Sequence, residues 1–289
     1  VITSSGGAIT LGGGATPATV AAFGTASNIE GIKLAGAQLQ SGAGTIKLTG
    51  TGFAGTNNAY GISLDGIGGV ATVVQSTSGA ISLTGTGGTG VTNNGGVVIG
   101  ASAAEAATVT SVSGPITVVG TGGGTGAGAT NMGAFVGTKG LVESTGTATI
   151  NVTGSGGSGT DTNVGVWVTG GAIRSTATGS GAITVVGNNT GTVTGVSNYG
   201  VYLQSGGDIE SLGTAPISIT GTGGAGISGN FGVYVLGAGS TVSATSVTGN
   251  INITGTGAGS GGGNYGAHFE DGALVSANGG LLNITGTAA

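Results

Sequence analysis

Apolar residues recur along this chain in short period-two runs separated by glycine, serine and threonine. The stretch 198–222, NYGVYLQSGGDIESLGTAPISITGT, holds three of them: Tyr199/Val201/Leu203, then Ile209, then Ile217/Ile219. Alternation with β-branched enrichment predicts strands that bury one face. Aligned on the run that ends in Thr-Gly-Thr or a close variant, the first apolar residue falls at Ile9, Ile46, Ile81, Ile116, Ile150, Ile183, Ile217, Ile251 and Leu282, in steps of 31 to 37 residues. Call this the first strand. Its inward pairs run from Ile46/Leu48 to Leu282/Ile284, and its outward positions are polar, as in Ser82/Thr84 and Asn283/Thr285.

A glycine-rich loop follows, and the second strand opens on Asn-x-Gly at Asn94, Asn131, Asn163, Asn198, Asn230 and Asn264. Two earlier turns carry one extra residue, at Asn28/Gly31 and Asn58/Gly61. Asn tolerates left-handed backbone and Gly permits close approach, so this reads as a corner. The inward second-strand positions are then Met132/Ala134/Val136, Val164/Val166/Val168, Tyr199/Val201/Leu203, Phe231/Val233/Val235 and Tyr265/Ala267/Phe269. A shorter third strand is centred on Leu39, Val74, Val109, Val142, Ile173, Ile209, Val242 and Leu274, usually just before a serine.

Three strands in each repeat predict an all-β parallel β-helix. It has about eight turns of about 34 residues, with residues 1–289 as a single continuous β-solenoid. Stacked turns at about 4.8 Å would make a rod of roughly 40 Å. The corner asparagines would then form an internal amide ladder. A propeller needs four strands per blade, one more than each repeat supplies. The pattern begins and stops mid-turn. The expectation is therefore a segment of a longer chain or a stacking filament subunit, self-associating end to end or laterally.

Composition narrows the function classes. Glycine is 72 of 289 residues, yet 37% of the chain is apolar and only 4% charged, the opposite of a disordered linker. A net charge of −5 with four basic residues argues against nucleic acid and anionic membrane surfaces. No run approaches the roughly 18 apolar residues of a spanning helix. There is no cysteine, and His268 is the only histidine, so thiol chemistry, catalytic triads and His-rich metal sites have no ligand or base to build on.

The repeat texture of GVYLQSGGDIESLGTAPISITGTGG resembles the large exported β-helix proteins of bacteria, giant exoproteins and autotransporter passengers in the style of filamentous haemagglutinin. The resemblance spans essentially the whole chain and carries over no functional residue. It implies a parallel β-helix displayed extracellularly or on the cell surface, serving adhesion, cell-to-cell contact or a filament; the residues themselves offer no catalytic constellation, so no enzyme and no cofactor are expected.

Several constellations are candidates for contact or chemistry. The outward second-strand row reads Lys33, Ser63, Val98, Phe135, Trp167, Tyr202, Tyr234 and His268, and from Phe135 onward it is an aromatic stripe. An exposed stripe of this kind could dock a neighbouring rod or a cell-surface polysaccharide, or it could be no more than aromatics stacking across strands. The Ser/Thr/Asn-x-Thr array of the first strand resembles the ice-binding face of flat β-helical antifreeze proteins, with Lys47, Val119 and Val186 as interruptions. Glu143, Arg174 and Glu210 should form a surface ion-pair ladder. Asp208 and Glu210 lack the further acidic partners of a sugar-cleaving site. GGSGTDTNV at 156–164 matches one calcium-binding nonapeptide, but it occurs once where consecutive copies are needed. The Asn-x-Thr sequences at Asn151, Asn188, Asn252 and Asn283 match a glycosylation acceptor but arise freely in Thr-rich strands.

Overall fold

A computed structural model describes residues 1–101, 105–126, 128–176, 181–189 and 195–288. The described secondary structure is all β-strand, and every pairing between strands is parallel. The strands form three sheets that stack as a β-solenoid of about 8 turns of ~34 residues. The first sheet has ten strands, the second eight and the third nine. In each sheet a strand pairs with its equivalent one turn on, in strict register: Ile116 with Ile150, Ile150 with Ile183, Ile183 with Ile217. Identical rows of apolar side chains therefore superimpose along the axis.

The core lies between the sheets. Ile46/Leu48, Ile81/Leu83, Ile150/Val152 and Ile217/Ile219 of the first sheet meet Leu39, Val74, Ile173 and Ile209 of the third, all essentially inaccessible to water. A turn cannot bury this face alone. Stacking supplies the missing neighbours, which is why the apolar pattern repeats instead of closing on itself.

Two columns of glycine fix how the first and second sheets meet. The first-sheet strands carry Gly85, Gly120, Gly154, Gly187, Gly221 and Gly255 at their third inward position. These face Gly96, Gly133, Gly165, Gly200, Gly232 and Gly266 at the start of the second strand. A Cβ on Gly187 would stand 2.0 Å from the carbonyl oxygen of Gly200, and one on Gly154 would stand 1.9 Å from that of Gly165. Backbone packs on backbone here for the length of the rod.

This contact corrects the reading of the second strand. Gly200 and Val201 both face inward, Gly200 against the Thr222 amide at 2.3 Å from its would-be Cβ. The chain bends at the glycine, and alternation does not carry across it. Met132, Val164, Tyr199, Phe231 and Tyr265 therefore leave the main core and stand on the outer side of the second sheet. A smaller correction falls on the last turn. Val275, not Leu274, pairs with Val242 and faces the core, while Leu274 is 51% exposed.

Small polar residues close the other corners. Ser41, Ser76, Ser111, Ser144, Ser175 and Ser211 end the third-sheet strands and are buried. Several bond nearby carbonyls, Ser41 Oγ donating to Gly44 O within its own turn and Ser76 Oγ donating to Gly42 O of the preceding turn at 3.0 Å.

Candidate functional site

The corner asparagines and the outer face of the second sheet share one segment of each turn. At the corner, Asn94, Asn131, Asn163, Asn198, Asn230 and Asn264 are all buried. The backbone N–H of each donates to the side-chain Oδ1 of the next: Asn94 to Asn131 at 3.0 Å, Asn131 to Asn163 at 3.2 Å, Asn163 to Asn198 at 3.0 Å, Asn198 to Asn230 at 3.1 Å and Asn230 to Asn264 at 2.9 Å. Side-chain amides add parallel bonds, with Asn163 Nδ2 and Asn230 Nδ2 each 3.0 Å from the next Oδ1. The ladder starts at Ala59, whose N–H reaches Asn94 Oδ1 at 3.2 Å.

The asparagines themselves do not take the left-handed conformation expected of them. The residue just before each does: Asn93 (φ 58°), Thr130 (φ 62°), Thr162 (φ 53°), Ser197 (φ 59°), Gly229 (φ 66°) and Gly263 (φ 72°); at the earlier corner Asn58 is itself left-handed (φ 58°), ahead of Ala59. The chain reverses there and drives the following asparagine inward.

Beyond the corner, two side-chain columns run side by side up the outer face. Strand register aligns Glu30, Tyr60, Gly95, Met132, Val164, Tyr199, Phe231 and Tyr265 in one. The other is the row Lys33, Ser63, Val98, Phe135, Trp167, Tyr202, Tyr234 and His268. At the first turn the columns are an ion pair, Lys33 Nζ to Glu30 Oε1 at 2.7 Å.

Higher up the two columns form an aromatic seam. Trp167 stacks on Tyr202 at 5.7 Å, Tyr202 on Tyr234 at 5.0 Å, and Tyr234 on His268 at 5.3 Å. Tyr199, Phe231 and Tyr265 stack beside them at 5.5 and 5.6 Å. Across the seam Tyr199 meets Tyr202 at 4.7 Å and Phe231 meets Tyr234 at 4.8 Å.

The expected open stripe is thus largely closed. Tyr202 and Tyr234 are only 7% exposed because the bend at the glycine swings Tyr199 and Phe231 over them. Phe135, Trp167 and His268 are half-buried. Tyr202 Oη donates to Gln204 Oε1 at 2.5 Å, and Tyr234 Oη donates to Glu270 Oε1. Burial, with Tyr199 and the Glu270 charge behind it, pushes the Tyr202 phenol up to about 12. Burial first, and then the bond to the Glu270 carboxylate, raises Tyr234 as well.

The seam has one gap. Gly95 puts no side chain between Tyr60 and Met132, and beside it lies a cavity of about 280 Å³ whose walls include Tyr60, Val98, Met132, Phe135 and Trp167. Sequence reasoning missed this site. Its signal is the single glycine in a column otherwise occupied from Tyr60 upward, visible only once the column is drawn.

The remaining candidates take structural places. Arg174 bonds Glu143 Oε1 through Nε at 2.9 Å and lies 3.5 Å from Glu210 Oε1, bridging three turns. Asp161 Oδ1 accepts the Val196 N–H of the next turn at 2.8 Å, so the carboxylate of the nonapeptide match pins a loop. Asp208 Oδ1 accepts from Thr241 Oγ1 at 2.6 Å. Asn151, Asn188, Asn252 and Asn283 sit on the outer face of the first sheet, where Asn283 Nδ2 donates to Asn252 Oδ1 at 2.8 Å. The Ser/Thr/Asn array forms in-register columns on that face, from Lys47/Thr49 to Asn283/Thr285.

No protein-family model matches this chain, and neither a curated protein nor a solved structure is significantly similar to it.

Proposed function

We propose that this chain is a structural element, a stiff Gly/Thr-rich β-rod that forms part of an extracellular bacterial fibre, surface filament or adhesin stalk. The observation that carries the reading is the continuous in-register stack of three parallel sheets, pinned internally by the asparagine ladder. Such a stack spreads load over many backbone hydrogen bonds running parallel to the rod axis. The low charge, the abundance of Gly, Ser and Thr and the likeness in repeat texture to exported β-helix proteins support a place outside the cell. The half-buried rings at the upper end of the seam and the Thr-rich face offer lateral contacts to neighbouring rods.

Protease shaving of intact source cells tests the reading. Antibodies to the chain should label the intact surface, and shaving should remove the label while a cytosolic marker survives. Antigen that becomes reachable only after lysis would overturn it.

A further inference from the structure

The gap at Gly95 is more than a packing fault. Register places Gly95 between Tyr60 and Met132, so the column that higher turns fill with Tyr199, Phe231 and Tyr265 carries no side chain at this turn, and the cavity lies beside it. A Cβ on Gly95 would stand 2.7 Å from Val98 Cγ2 and 3.3 Å from the Tyr60 ring, so a side chain there would press on two of the cavity's walls. The walls are held before any ligand arrives. Phe135 meets Trp167 edge-on at 5.5 Å, Trp167 is braced by Tyr202, and Tyr60 Oη accepts from Asn93 Nδ2 at 2.8 Å.

Polar groups sit at the rim. Asn93 and Thr130 both line the cavity. Thr130 Oγ1 has no partner among the described residues. Asn93 uses its Nδ2 on Asn58 and Tyr60, which leaves its Oδ1 to accept. No charged side chain lines the space. Its volume lies just under the roughly 300–1,000 Å³ of sites for drug-sized ligands, so it suits a single ring.

We infer that this cavity binds one neutral pyranose unit of a glycan. The sugar's C–H face packs on the Trp167 and Phe135 walls, and its hydroxyls bond Thr130 Oγ1 and Asn93 Oδ1. Aromatic faces paired with a few fixed hydrogen-bonding groups suit a ligand that is apolar on one side and hydroxylated at its edge. A purely apolar ring would strip water from Thr130 and Asn93 without replacing it. An acidic sugar would find no cation. The site goes beyond the rod reading, because a rod needs no ligand.

Trp167 is the only tryptophan, so its fluorescence reports on this wall alone. The test titrates the intact chain with neutral trisaccharides of glucose, mannose, galactose or N-acetylglucosamine. Sialyllactose and N-acetyl-tyrosinamide serve as the charged and aromatic comparisons. At least one neutral sugar should shift the emission saturably. Thr130→Gly, which removes the hydroxyl at a left-handed position that glycine accepts, should weaken binding about tenfold without lowering the melting temperature. Ala101→Phe, which fills the cavity from its exposed edge, should do the same. Three results would each overturn the inference: no saturable shift with any neutral sugar, unchanged affinity in both variants, or a response confined to N-acetyl-tyrosinamide.

Discussion

Each turn is held at the corner by two adjacent residues with opposite demands, one in left-handed backbone and one buried amide. Thr162 meets the first demand badly, since a β-branched residue at φ 53° is strained. Thr162→Gly should relieve roughly 1–2 kcal/mol of that strain, less about 0.5–1 kcal/mol of added unfolded-state entropy. The expected net gain is about 1 kcal/mol in urea unfolding, and a loss would show that the threonine side chain has a bonding role. Asn163 meets the second demand well. Its Oδ1 satisfies the Asn131 N–H, and its own amide continues to Asn198. Asn163→Ala leaves a buried N–H unpaired and should cost about 2–3 kcal/mol. Asn151→Ala, on the outer face, should stay within about 0.5 kcal/mol.

The tyrosines of the seam add a pH dependence. Tyr202 ionises at about 12 in the folded chain against 10.0 for an ordinary phenol. A proton-binding site whose folded value is raised stabilises fully below the unfolded value and loses that contribution as pH rises through the folded one. Stability should therefore hold up to about pH 10 and fall between about 10 and 12. Absorbance titration of phenolate should show Tyr202 and Tyr234 among the last to ionise. Tyr202→Phe should make the alkaline fall shallower, and an unchanged profile would remove Tyr202 from it.

At the scale of elements, the glycine columns decide which strands can cross. Gly187→Ala would force a Cβ to 2.0 Å from the Gly200 carbonyl oxygen and should cost more than about 3 kcal/mol or prevent folding. Gly262→Ala meets nothing within 4 Å and should be close to neutral by the same assay.

The same columns explain what was legible in the residues. Ile46/Leu48 and their equivalents were readable because two-residue alternation holds along the whole first strand. The corner asparagines were readable because one residue type recurs at one position. Tyr199 and Phe231 are not legible, because alternation alone puts them inward while Gly200 and Gly232 bend the chain and turn them out. Leu274 was misplaced because Leu274 and Val275 are equally apolar, and only the pairing of Val275 with Val242 chooses between them. The cavity at Gly95 could not be read from any one repeat, since it arises from comparing one turn with its neighbours.

As a whole the molecule is a ladder in three sheets, with its cohesion inside and along the axis instead of in surface charge. The Glu143–Arg174–Glu210 bridge is half-exposed, so Arg174→Ala should cost no more than about 0.5–1 kcal/mol and should matter less as salt rises. Loss of several kcal/mol there would mean that surface charge, and not the interior, carries much of the cohesion. A rod built this way repeats the same three sheets from turn to turn and suits extension in one direction, as a spacer or filament needs.

Whether this chain forms an extracellular β-rod is decided by electron cryomicroscopy of filaments sheared from the source cells and labelled with antibody to this chain. Label should run along thin extracellular rods with an axial repeat of about 4.8 Å. Label confined to compact intracellular particles, or rods lacking that repeat, would contradict it.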